Sequence, residues 1–470
     1  MAEVTDKRLI LLITCMSAFI TPFLSSSINI ALVSIGKEFP GTDEIMLGWV
    51  VTAFLLSAAI FVVPFGRIAD IFGRRKFFIA GLGVIVVSSF LCFISNSVPV
   101  LVASRAIEGF GAAMIFGTAM AILTAAYPAK ERGKVLGINM AVTYTGLSLG
   151  PVLGGLITQY LGWRYIYGGI MVFALIITLL AYLLIKDEWR YPETEKFDLP
   201  GTALYTVMLF SLMYGLTEVP GAHGFALIAL GLLIMIVFFW WELRNKNPIL
   251  KVSVLRKNTV FMFSNLAALI NYSATFAVSF LLSFYLQYIR GYDYQTAGII
   301  LIAAPIIQAV FSPLTGRLSD KVEPRVVASA GMGLCVLGLA LFALLTPETP
   351  LILVIGGLAF IGLGFALFSS PNTSAIMGSV EKRDLGVASG MVSTMRLIGQ
   401  VMSLGIAMLL FSLYMGRIEL IPGPNPALMS SIQTAFIVFA VLCVLGLIAS
   451  VMRGDLRKKE VPVPAAPQKH

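Results

Sequence analysis

Arg105 and Glu108 stand three residues apart inside an apolar block spanning residues 98–125. In a helix that spacing puts both side chains on one face. An ionisable group at mid-membrane depth costs at least about 2.5–3.5 kcal/mol on insertion scales, so it is a candidate for function. Burial favours a neutral carboxyl, whereas a neighbouring guanidinium favours the carboxylate. Two roles follow for Glu108: a carboxyl poised to load and release a proton, or a fixed counter-ion of Arg105. Arg396 is the other cation inside an apolar block, 387–414. It can hold an anionic group or pair with polar side chains.

A second group of residues could bind a small molecule. Asn29, Tyr144, Asn271, Tyr272, Phe276, Gln308, Phe368, Asn372 and Gln400 place polar or aromatic groups within apolar blocks. With Arg396 they are candidates to line a substrate cavity, because drug-sized ligands take apolar pockets with a few placed polar groups. Asn271 and Asn372 each need a partner or water in such surroundings. Cys15, Cys92, Cys335 and Cys443 are widely spaced in apolar blocks and read as buried free thiols. His223 and His470 suggest no metal chemistry, and no cofactor is implied. No phosphate-binding G-x-x-x-x-G-K-[ST] motif occurs, so no ATP drive is expected within this chain.

The elements that carry these residues must be membrane helices. Of 470 residues, 58% are hydrophobic and 12% charged, with mean hydropathy +0.92. Soluble domains carry about 25% charged residues. The apolar blocks are about 20 residues long, enough to cross about 30 Å of hydrocarbon as helices. Lipid offers no partner to the backbone, which requires helices, and the short alternating segments of a β-barrel are absent. The run 9–35 is too long for a signal peptide core and reads as the first span. The spacing predicts fourteen helices: 9–35, 47–65, 77–95, 98–125, 137–158, 165–185, 200–216, 225–241, 259–286, 297–314, 326–345, 351–376, 387–414 and 429–452. The fold class is therefore all-α and polytopic.

Charge sets the expected orientation. The terminal segments and the loops after even-numbered helices hold 27 Lys and Arg, the opposite loops only Lys37, Arg164, Arg290 and Arg417. Short loops rich in Lys and Arg stay cytoplasmic. Both termini are thus expected in the cytoplasm of a multi-pass plasma-membrane protein. The net charge of +9 is explained by this bias, so no nucleic-acid partner is implied. Trp240 and Trp241 close helix 8 at the expected interface.

The chain repeats itself. Gly66-Arg67-Ile68-Ala69-Asp70 recurs as Gly316-Arg317-Leu318-Ser319-Asp320, and Gly133, Gly137 and Gly146 recur as Gly386, Gly390 and Gly399. The offsets, 250 and 253 residues, agree on a shift of eight helices. Six-helix bundles are expected over 1–186 and 259–453, separated by 187–258 with two extra helices and followed by a disordered cytoplasmic tail, 454–470. Parallel six-helix repeats occur in secondary transporters, with the substrate site between the halves near the midplane.

Residues 66–76, G-R-I-A-D-I-F-G-R-R-K, resemble the loop signature G-x-L-x-D-x-x-G-R-[RK]-x of the major facilitator superfamily. With fourteen helices the chain looks most like the drug:proton antiporter family of the QacA/EmrB type. The resemblance implies that Gly66, Asp70, Gly73 and Arg74 form a conformational latch, with Asp70 meeting the start of helix 13 near Gly386. The second copy is degenerate, with Pro324 where a Gly-Arg pair is missing. In helix 5, Gly146, Gly150, Pro151, Gly154 and Gly155 include a match to the antiporter signature G-P-x-x-G-G. Glycines allow close helix approach, and Pro151 removes a hydrogen bond and bends the helix. Residues 101–109 resemble the family's R-x-x-Q-G helix, whose Arg is linked to proton transfer. Glu108 replaces the usual Gln, and unlike Gln it can carry a proton. Helix 1 departs as well: Asn29, Ala31 and Leu32 match D-x-T-x-x-N-x-A-L-P, but Leu24 stands at the acid position and Val33 at the proline. Coupling or cation recognition through that acid does not carry over, which weakens the case for strongly cationic substrates. The resemblance implies a monomeric, proton-coupled exporter of small amphipathic molecules that works by alternating access among membrane lipids. Export of one dedicated metabolite, lipid or peptide is the alternative, and a membrane sensor that transports nothing is a more distant one.

Overall fold

Among the described residues, fourteen helices are long and apolar enough to cross a membrane, and they account for the apolar blocks one for one. The computed structural model describes residues 6–189, 197–219, 221–245, 248–249, 258–380, 385–416 and 425–454. The first bundle holds α1 (Lys7–Glu38), α2 (Glu44–Phe72), α3 (Arg74–Phe93), α4 (Val98–Ala126), α5 (Ala129–Tyr160) and α6 (Arg164–Leu184). The inserted hairpin is α7 (Leu199–Glu218) and α8 (Ala222–Arg244). The second bundle holds α9 (Thr259–Ile289), α10 (Tyr294–Ser319), α11 (Pro324–Ala343), α12 (Leu351–Gly378), α13 (Leu385–Met415) and α14 (Pro426–Met452). The fold is all-α: two six-helix bundles with two inserted helices. Below, the terminal face is the one where α1 begins and α14 ends; the distal face is opposite.

The internal repeat reappears as packing. A side chain at Gly81 would meet the Gly111 carbonyl, and one at Gly111 would meet the Gly81 carbonyl. Gly331 and Gly364 face each other in the same reciprocal way, offset from the first pair by 250 and 253 residues. Gly146 lies against the Phe19 carbonyl and Gly399 against the Leu269 carbonyl, at the same two offsets. In a membrane, helix association relies on close backbone approach rather than on a hydrophobic drive. These glycines let α3–α4, α11–α12, α1–α5 and α9–α13 pack closely, as Gly109 against the Phe54 carbonyl does for α4 on α2.

The hairpin lies across one seam between the bundles, packing on α2 and α13. The Tyr205 hydroxyl donates to the Ala59 carbonyl of α2 at 3.1 Å. The Tyr214 ring lies 6.0 Å from Trp49 of α2. Nearer the distal face, Ser412 of α13 donates to the Val219 carbonyl at 2.8 Å.

Two helices are less regular than their apolar runs suggest. The α-helical path of α9 breaks between Thr275 and Val278 and ends in a π turn, Tyr285–Ile289. In α10 it breaks at Ile302. The tail 455–470 lies outside the described residues, as does the greater part of the basic loops 190–196 and 250–257.

Candidate functional site

Arg105 and Glu108 are both completely buried and form an ion pair on one face of α4. The Arg105 Nε donates to the Val50 carbonyl of α2 at 2.9 Å. Ser89 of α3 donates to Glu108 Oε1 at 2.8 Å. The Arg105 guanidinium sits 4.3 Å from the Phe54 ring centroid and 6.0 Å from that of Tyr167. Arg105 Nη2 has no hydrogen-bond partner. The pair thus joins three helices of the first bundle behind a wall of aromatic rings.

Phe54 also lines a cavity of about 1290 Å³, open mouth included, that lies between the two bundles. The first bundle contributes Asn29 and Ser25 from α1, Phe116 from α4, and Tyr144 and Pro151 from α5. The second contributes Tyr272 and Phe276 from α9, Gln308 from α10, Phe365 from α12, and Arg396 and Gln400 from α13. Arg105 and Glu108 are not on the lining. Tyr144 and Ser369 share a hydrogen bond of 3.1 Å across the bundles, and Arg396 stands 5.8 Å from the Phe116 ring. Three buried polar atoms of the wall have no partner: Thr21 Oγ1, Asn29 Oδ1 and Gln308 Nε2. Each is available to a ligand or water.

Three sequence candidates do not reach the cavity. Asn372 is buried toward the terminal face, where it donates to the Ser264 carbonyl at 3.1 Å and accepts from Arg453 Nη1 at 2.8 Å. Arg453, the last residue assigned to the second bundle, is only 1% exposed. Burial pulls its guanidinium down to about 10, which leaves it charged at neutral pH. Asn271 is buried away from the lining, with both amide atoms unpartnered. Phe368 is buried outside the lining as well.

The distal ends of the two bundles are joined. Ser283 donates to the Asn29 carbonyl at 2.7 Å, and Gln287 to the Ile30 carbonyl at 3.3 Å. Tyr160 donates to Gln295 at 3.2 Å, and Lys37 lies over the Tyr294 ring at 5.5 Å. The antiporter-like helix contributes to this seam directly. A side chain at Gly155 would meet the Tyr294 carbonyl, and one at Gly298 would meet the Pro151 carbonyl. Gly150 and Gly154 instead seat α5 on Ser26 and Ser27 of α1. On the first bundle, Glu38 of α1 pairs with Arg164 and accepts from Trp163 at 2.7 Å.

At the terminal face, Gly73 has φ +115°, a conformation that only glycine adopts freely. Arg74 Nε donates to Asp70 Oδ1 at 2.7 Å, and Arg74 Nη1 donates to the Ala121 carbonyl of α4 at 3.1 Å. The carboxylate at the first turn of α3 is Glu188, which accepts from the Arg75 amide at 2.9 Å. The sequence expectation for Asp70 concerns the start of α13, where the side chains at 385–387 lie outside the described residues. Glu188 follows α6, too far along the chain for the loop motif to reveal it. Gly66 lies against the backbone of Gly117 on α4. The side chains at 385–387, Gly386 among them, lie outside the described residues, as do those of Gly133 and Gly137.

Comparison with known proteins agrees with this architecture. A family model described as Major Facilitator Superfamily matches residues 14–404 and 265–470. The chain belongs to that superfamily. It is 28% identical over 449 residues to the riboflavin transporter RibZ of Clostridioides difficile, covering 95% of this chain and 97% of that protein. It is 29% identical over 385 residues to the multidrug resistance protein Stp of Mycobacterium tuberculosis, covering 81% and 71%. The crystal structure of the human organic anion transporter MFSD10 (TETRAN) superposes with TM-score 0.62 at 14% identity, covering 95% of this chain and 99% of that one. That likeness concerns the fold alone. The protein is a multi-pass membrane transporter of this superfamily.

Proposed function

We propose that this transporter exports small amphipathic molecules from the cytoplasm in exchange for protons, by alternating access. The observation that carries the reading is the cavity: apolar and aromatic, held between two bundles, and separated by one ring from a buried Arg105–Glu108 pair. Its lining, mostly apolar with a few placed polar groups, is the kind that drug-sized ligands take. The relatedness to Stp, named a multidrug resistance protein, favours export, as does the G-P-x-x-G-G helix at the distal seam.

In this reading the terminal face and both termini lie on the cytoplasmic side of the plasma membrane, which the bias of Lys and Arg toward that face supports. The joined distal ends then make this the conformation open to the cytoplasm. Gly66, Asp70, Gly73 and Arg74 serve as the latch that re-forms when the terminal face closes. The functional units run 1–186, 187–258 and 259–453, and one chain suffices for transport. Glu108 takes a proton from outside and gives it up inside as substrate leaves.

A fluorescent-dye efflux assay in cells, with and without a protonophore, tests this. Efflux that stops when the proton gradient is collapsed is expected. Efflux that continues unchanged contradicts proton drive. A second reading is a carrier dedicated to one metabolite, favoured by the near full-length relation to a riboflavin transporter. Chemically unrelated dyes separate the two: acceptance of a single compound selects the dedicated carrier.

A further inference from the structure

We infer that the central cavity selects amphipathic molecules bearing a negative charge or a strong hydrogen-bond acceptor, and rejects lipophilic cations. The inference rests on the proposed export function and specifies its substrate class. Among the described residues, the lining contains one charged side chain, Arg396, and no carboxylate. Arg396 is half-buried, and no described carboxylate pairs with it. The neighbouring buried acid, Glu108, is spent on Arg105 and does not reach the cavity.

An uncompensated guanidinium in a low-dielectric pocket acts strongly on any charge placed beside it. Its planar fork suits a carboxylate, a phosphate or a ring carbonyl. Gln308 adds an unpartnered buried amide donor to the same wall, and Gln400 lies one helical turn from Arg396 on α13. Phe116, Tyr144, Tyr272, Phe276 and Phe365 supply ring faces for a planar apolar body. Such rings could attract a cation, but with no acid in the wall nothing offsets the repulsion from Arg396. Asn29 Oδ1 is an unpartnered acceptor on α1, so it suits a hydroxyl or N–H group elsewhere on the same ligand. The absence of an acid at Leu24 in α1 agrees with this balance.

The test uses the purified full-length protein and two dyes that share a xanthene body, anionic fluorescein and cationic rhodamine 6G. Binding is read by fluorescence anisotropy in detergent, and flux in proteoliposomes under an imposed pH difference. Fluorescein is expected to bind at least about tenfold tighter than rhodamine 6G. Arg396→Gln is expected to collapse that ratio, and Arg396→Lys to retain the preference. Equal or tighter binding of the cation by the unmodified protein overturns the inference, as does a ratio that Arg396→Gln leaves unchanged. The two proposals fail separately. Proton-driven flux of the cation would sink the charge preference and leave export standing. Tight anion binding with no flux under the pH difference would do the reverse.

Discussion

The Arg105 guanidinium lies 4.3 Å from the centroid of Phe54, a ring that itself lines the central cavity. One aromatic side chain therefore touches both the buried ion pair and the space where substrate would sit. A cation over a ring is worth about 0.5–2 kcal/mol, the larger figure applying away from water. That is enough for a shift of Phe54 to alter the balance between Arg105 and Glu108.

Phe54→Leu is accordingly expected to weaken coupling more than binding. Fluorescence titration should show a change in substrate affinity of a few-fold. Accumulation driven by a pH difference in proteoliposomes should fall by about tenfold, the equivalent of about 1.4 kcal/mol. Equal losses in both measurements would reduce Phe54 to a cavity wall.

The ion pair also has a structural cost if broken from one side. Arg105→Ala leaves Glu108 buried with only Ser89 as partner, and removing half of a buried pair destabilises by about 3–5 kcal/mol. A lowered melting temperature in detergent is expected, larger than for Arg105→Lys. An Arg105→Ala melting temperature equal to that of the unmodified protein would mean that the pair contributes nothing to the first bundle.

The architecture was readable because lipid leaves the backbone no choice. Block length set the fourteen spans, and the 250- and 253-residue offsets, read from other residues, recur in the packing of Gly81 with Gly111 and of Gly331 with Gly364. The cavity was harder. Phe54, Phe116 and Phe365 line it, yet by type they are indistinguishable from rings that face lipid or core. Hydropathy cannot tell which face of an apolar helix is inward when the solvent is apolar too. Asn372 misled for the opposite reason: a polar side chain in an apolar helix signals a need for a partner, and the partner is Arg453, 81 residues away. Glu188 was hidden in the same way, since its contact with the Arg75 amide spans 113 residues.

Gly155 tests the distal seam. A methyl group there meets the Tyr294 carbonyl, and overpacking of this kind costs about 1–3 kcal/mol. Gly155→Ala should therefore disfavour the distally closed state. In that background, a cysteine in place of the buried Ser283 should react faster with a membrane-impermeant thiol reagent than it does alone. An unchanged labelling rate would show that Gly155 does not control closure.

Gly73 tests the terminal-face turn. Its φ of +115° is strained for any other residue, and the Glu188 carboxyl fills the space a side chain would take. Gly73→Ala is expected to cost about 1–3 kcal/mol. Glu188→Gln, which removes only a charge beside the first turn of α3, should cost about 0.3–1 kcal/mol. Thermal unfolding in detergent ranks the two, and the reverse order would contradict this account of the turn.

The central claim is that a carboxyl group exchanges hydrogen ions as solute crosses. The most direct measurement is the internal pH of proteoliposomes, reported by a trapped dye, when a transported compound is added outside with no gradient imposed. Inward movement of solute should drive protons out and make the lumen more alkaline in the unmodified protein, and Glu108→Gln should move solute with little pH change. Solute entry by the unmodified protein with no change in internal pH would contradict the account.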